Sequence, residues 1–200
     1  MLPEKNEGTS GNQDHDAESR GRTLLRLARD SLAGQFDAKE RNIPQADWLN
    51  KPGATFVTLT LQGQLRGCIG SLEAHRSLAE DVSRNAVAAA FHDPRFPPLT
   101  AEEFPDIAIE VSLLTPAEPL YFRDEQDALR QLRPNRDGVI FEYGHYRSTF
   151  LPQVWKNLPQ PRDFLAMLKR KAGLPDDFWA DGIKLSRYTV EKWREKTISA

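Results

Sequence analysis

The chain has 200 residues, enough to bury a sizeable core in one body or in two small packed halves. With 39% hydrophobic and 28% charged residues and a net charge of -2, it has the composition of a folded chain and offers no general attraction to phosphate backbones or anionic lipid, which argues against nucleic acid as a partner. Its one cysteine excludes an internal disulfide and any paired-thiolate zinc site and fits a reducing compartment, so a cytoplasmic location is expected.

Residues 1–19 are polar and Gly/Ser-containing, with no apolar core behind a basic start. They are expected to be a disordered tail rather than a secretory signal. Residues 21–36 then place Leu24, Leu25, Leu27, Ala28, Leu32 and Phe36 at helical spacing, with Ser19 available as a cap. From Ala54, Val57, Leu59 and Leu61 alternate with Phe56, Thr58 and Thr60, and Gly63 marks the turn of a hairpin that runs to Gly70. Residues 77–91 read as an alanine-rich helix, ended where Pro94 disfavours helical geometry at Asp93. AVAAAF, 86–91, is the longest apolar run in the middle of the chain and falls far short of a membrane span.

Residues 106–114 alternate as a half-buried strand, with Ile107, Ile109, Val111 and Leu113 inward and Glu110 and Ser112 outward. A short helix follows over 124–132. A second hairpin spans 137–152 about Gly144, and a helix over 164–174 has Gly173 as a C-terminal cap before Pro175. One strand over 183–193 closes the chain. The two hairpins, each followed by helical sequence, suggest an internal duplication, and strands mixed with helices without strict alternation give an α+β fold. The 20–195 domain then divides into packed halves at about 20–116 and 117–195, with 196–200 as a terminal tail.

The segment QGQLRGCIGSLEAHR, 62–76, holds the lone cysteine. Strand alternation puts Leu65, Gly67 and Ile69 on the apolar face and Arg66, Cys68 and Gly70 on the other. Arg66 can then fold toward the Cys68 sulfur and favour its thiolate, while Gly67 and Gly70 leave room for a ligand or another backbone. Against this stands the tendency of free cysteine to be a small buried hydrophobe.

Other groups carry paired readings. Asp93 and Arg95 shape an anion or polar-ligand pocket, or merely fix the turn before Pro94. His92 is a base for Cys68, or a helix C-terminal histidine held by the dipole. Glu110 handles protons or pairs with Arg66, or is a solvated strand glutamate. The basic run 169–171 lies on a helix with an apolar stripe and reads by default as a solvated face. Trp155, Phe164, Phe178 and Trp179 read as core of the second half. The four histidines show no metal-ligand spacing, and neither a phosphate-binding loop nor a nucleophile elbow is present, so no metal and no cofactor is expected.

LRGCIG, with FVTL before it and DPRFPPL, IEVSLLTP, DGV, TFLPQVW and FLAMLKRKAGL after it in order, resembles the AMMECR domain family across roughly residues 20–195. Bacterial and archaeal members are called AmmeMemoRadiSam system protein A. The resemblance implies two related β/α repeats around a mostly antiparallel, barrel-like sheet with flanking helices. It also implies an accessory or binding role, with a Memo-like protein and a radical SAM protein as partners and the surface of Arg66, Gly67, Cys68, Gly70, Asp93 and Arg95 as the binding site. The family's biochemical activity is not established, so the small-molecule ligand is unknown. A thiol-dependent enzyme using Cys68, with Arg66, His92 and Glu110 in support, is the alternative.

Overall fold

The computed structural model describes residues 10–37 and 46–195. The first helix, α1 (Ser10–Phe36), buries Leu24, Leu27, Ala28 and Leu32. It begins nine residues before Ser19, so residues 10–19, expected in the tail, are helical and Ser19 is not a cap. Its carbonyl instead accepts from Thr23 Oγ1 at 3.0 Å inside the helix. Once the apolar stripe has fixed the later turns, each further residue adds a hydrogen bond without a new nucleation cost, and no proline interrupts 10–19. The rest of the expected disordered tail, residues 1–9, and the terminal tail at 196–200 lie outside the described residues.

A 3-10 turn, Asp47–Asn50, leads into the hairpin of β1 (Ala54–Leu61) and β2 (Gln64–Gly70). Its two-residue loop, Gln62–Gly63, has positive φ at both positions, 51° and 79°, as a type I′ turn requires. Helix α2 (Leu78–Phe91) is capped by Ser77, whose side chain accepts from the Glu80 amide. It packs on β1 and β2, and α1 packs on α2. Strand β3 (Ile107–Leu114) turns Ile107, Ile109 and Val111 into the same core, which Val57, Leu59, Val82 and Ala86 fill from the other elements.

The remaining elements are β4 (Glu118–Leu120), α3 (Glu125–Gln131), β5 (Gly138–Tyr143), β6 (Tyr146–Phe150), α4 (Pro161–Lys171), β7 (Lys184–Tyr188) and β8 (Val190–Arg194). The single closing strand expected over 183–193 is thus two strands broken at Thr189. They belong to different sheets, one ordered β2-β1-β3-β8 and the other β4-β7-β5-β6. The fold is mixed α/β with two antiparallel sheets, and among the described residues neither closes into a barrel, so the barrel-like detail of the expectation is not shown. The described residues divide into two compact units, one of Leu114–Glu191 and one that joins the residues before Leu114 to those from Lys192 to Glu195.

The second unit buries Trp155 against Phe164, stacked at 3.7 Å between ring centroids, and Trp155 Nε1 donates to the Asp137 carbonyl at 2.7 Å. Phe178 and Trp179 pack at the edge of this core. Helix α4 ends in a Schellman motif: the Leu174 amide donates to Lys169 O, the Gly173 amide donates to Arg170 O, and Gly173 has φ +92°. Lys169 is not solvated as its basic run suggests. It falls four residues after Leu165 and next to Leu168 on the apolar stripe, is 2% exposed, and donates to Glu125 at 2.9 Å and to the Phe178 carbonyl at 3.0 Å.

Candidate functional site

Strand β2 is an edge of the first sheet, and its pairing with β1 is interrupted. Phe56 to Leu59 pair with Gly70 to Gly67 in order, but Thr60 pairs with Leu65, so Arg66 faces no partner and forms a β-bulge. Val57 and Leu59 lie in the core with α2, so Gly67 faces α2 as well. A Cβ on Gly67 would sit 2.0 Å from the Ala89 carbonyl, and this glycine admits the helix backbone rather than a ligand. Gly70 makes room for the ring of Phe56, which a Cβ there would meet at 2.2 Å.

Cys68 pairs with Thr58 on the face turned away from the helices. It is partly exposed, and Thr58 Oγ1 donates to its Sγ at 3.2 Å. The alternation argument therefore holds for Cys68. It fails before the bulge, because the extra residue reverses the parity: Leu65, expected inward, shares a face with Thr60 and is 43% exposed.

Arg66 does not reach the sulfur. It is 7% exposed, and its guanidinium donates from Nε to Glu103 at 3.0 Å, from Nη2 to the same carboxylate at 2.8 Å, and to the Pro97 and Pro98 carbonyls at 2.9 and 3.2 Å. Glu103 is doubly held. Its carboxylate accepts from the Thr100 amide at 3.1 Å while Thr100 Oγ1 accepts from the Glu103 amide at 3.3 Å, a capping box spelled T-A-E-E. The Arg66 hydrogen bonds, reinforced by the Thr100 amide and opposed by burial, hold the Glu103 carboxyl below its ordinary range. Glu103 was not among the expected site residues, although the T-x-x-E spacing was available in the sequence.

Asp93 and Arg95 meet Cys68 through its backbone. The Cys68 amide donates to Asp93 Oδ2 at 2.9 Å, and Arg95 Nη2 donates to the Cys68 carbonyl at 3.3 Å and to Asp93 at 2.6 Å. Both backbone groups, which an edge strand would otherwise leave unpaired, are thereby satisfied by side chains. Hydrogen bonding from the Arg95 side chain, opposed by burial and helped by the Cys68 and Arg95 amides, holds Asp93 far below the usual carboxylate range. Asp93 in turn raises the Arg95 guanidinium above its ordinary value, burial opposes it, and the neighbouring Cys68 adds a smaller contribution.

The other two expected groups are elsewhere. Glu110 lies 3.7 Å from Lys192 Nζ and does not pair with Arg66. His92 ends α2 and lines an open groove of about 400 Å³ with Gln35, Arg84 and Ala88, and no hydrogen bond joins it to Cys68. Among the described residues, no three His, Cys, Asp or Glu side chains converge where a metal ion would bind.

The sequence reading also missed the buried cluster beneath the hairpin. Asp81, fully buried on α2, accepts from the Thr55 amide and hydroxyl at 2.8 and 2.7 Å, Asn85 Nδ2 at 2.9 Å, Ser71 Oγ at 2.7 Å and Arg76 Nε at 2.8 Å. It ties α2 to β1 and to the loop that follows LRGCIG. Asp81 falls between Leu78 and Val82 on the buried stripe, so a carboxylate at a core position was the available signal.

A family model, AMMECR1, matches residues 25–193. The chain belongs to the AMMECR1 family. Relatives within it include a protein of Sulfolobus acidocaldarius, 40% identical over 88% of this chain and 81% of its own length, and one of Thermotoga maritima, 37% identical over 80% and 88%. A crystal structure of an uncharacterised protein from Pyrococcus horikoshii, 35% identical, matches 88% of this chain and 92% of its own with a TM-score of 0.72. The described α/β architecture with two sheets is therefore an AMMECR1 architecture, and no described helix is long and apolar enough to cross a membrane.

Proposed function

We propose that this AMMECR1-family protein is a non-catalytic accessory or binding component of a Memo/radical SAM modification pathway in the cytoplasm, and that it acts through the LRGCIG surface. The observation that carries this reading is the state of the charged groups around Cys68. The thiol is partly exposed, but Arg66 is committed to Glu103, Asp93 to Arg95 and Glu110 to Lys192, which leaves Cys68 without a base in hydrogen-bond reach among the described residues. Leu65, Cys68 and the half-exposed Arg95 then offer contact chemistry rather than a reaction centre. Tagged protein expressed in its native host is expected to recover the Memo-like or the radical SAM protein. Failure to do so, with purified components that also do not associate, overturns the reading.

A thiol-dependent enzyme is the second reading. It is favoured by the Thr58 hydroxyl that donates to Sγ and by the Arg95 guanidinium, which donates to the Cys68 carbonyl. Cys68→Ser separates the two: an enzyme of this kind loses its chemistry, whereas a binding surface keeps its partner.

A further inference from the structure

Residues 93–103 run along β2 and touch it at both ends. At one end Asp93 and Arg95 occupy the Cys68 amide and carbonyl; at the other Glu103 takes both oxygens to Arg66, and between them Pro97 and Pro98 give their carbonyls to the same guanidinium. The segment is stiff for its length. Pro94, Pro97 and Pro98 fix three of its φ angles, and the capping box closes its last turn. Leu99 is 3% exposed, and its amide donates to the Ala90 carbonyl at 2.8 Å.

We propose that residues 93–103 form one cooperative strap across the free edge of β2, with Arg66 as its buckle, so that release at Glu103 uncovers the Cys68 backbone at the opposite end. Arg66 is a positioning residue in this account. Its place in the bulge lets the side chain leave the strand and enter the strap, and what it controls is the access of other groups to an edge that is otherwise ready to pair. The strap goes beyond the proposed function, since it holds whether that surface binds a protein, a small molecule or nothing.

Amide hydrogen exchange on the full chain tests the coupling. Glu103→Gln keeps a side chain that can close the capping box but removes the charge facing Arg66, and Glu103 makes no hydrogen bond to Cys68. The expected result is faster exchange of the Cys68 amide together with those of the strap, by about tenfold or more. Glu195→Gln, which weakens the clamp between Glu195 and Arg29 elsewhere in the same unit, controls for general destabilisation and should leave Cys68 behind the strap. Arg66→Lys, which keeps the charge but loses the fork, should act as Glu103→Gln does. Faster exchange confined to residues 99–104 in both strap variants overturns the proposal, and so does an equal rise at Cys68 in Glu195→Gln.

Discussion

The two long hairpins make an instructive pair. Both turn through two residues with glycine at positive φ, and both lead into a helix that covers one face. In β5–β6 the register runs unbroken from Val139 opposite Phe150 to Tyr143 opposite Tyr146, and the helical segments beneath it supply aromatic core. In β1–β2 the register breaks at Arg66, the helix approaches a glycine, and the polar groups beneath are gathered on Asp81. Strand alternation reads an uninterrupted hairpin correctly and misplaces every residue on one side of a bulge. The bulge is also where a buried cation enters, within the LRGCIG segment.

Asp81→Ala should break the first hairpin's junction with α2 most severely. It leaves Arg76 and four further donors without their acceptor, at a cost of about 3–5 kcal/mol in chemical denaturation. Trp155→Ala should cost about as much in the second unit, through a cavity instead. A loss at Asp81 no larger than that of a surface substitution would remove the polar half of the contrast.

Gly67→Ala against Gly144→Ala sharpens it. The first forces a Cβ onto backbone 2.0 Å away and should cost about 1–3 kcal/mol by overpacking. The second meets nothing within 4 Å and carries only the strain of φ +57°, about 1 kcal/mol, so thermal melts should rank them in that order.

Acidification is the third test. Asp93 and Glu103 both have lowered folded-state values, so their contribution is complete above the ordinary carboxylate value of about 4 and is lost as pH falls through the folded ones. Stability should decline below about pH 4, and Glu103→Gln should flatten that decline while leaving the slope near neutrality unchanged. The smallest effect is expected from Cys68→Ser. Its Thr58 partner can still bond the hydroxyl, and the melting curve should change by about 0.5 kcal/mol or less.

Much of this was legible in the residues. Both hairpins, the helix over 77–91, the strand over 106–114 and the glycine C-cap at Gly173 follow from spacing and turn chemistry. The outward placement of Cys68 also follows, because it lies beyond the bulge. The direction of Arg66 does not, since a bulge is a property of two strands and the sequence shows each alone. The handover at Thr189 left only a faint trace, a switch of apolar parity from Ile183 and Leu185 to Tyr188 and Val190, and that switch says nothing about which sheet each half joins. Lys169 was assigned to solvent and Asp81 passed over because a charged residue on an apolar stripe is ordinarily taken as solvated, and here each found buried partners.

The central claim is that Arg66 serves the strap and not the thiol, and double-mutant cycles on folding stability address it directly. Arg66→Gln combined with Glu103→Gln should show a coupling of about 1–3 kcal/mol, whereas Arg66→Gln combined with Cys68→Ser should be additive within about 0.5 kcal/mol. Strong coupling between Arg66 and Cys68, with none between Arg66 and Glu103, would contradict the account.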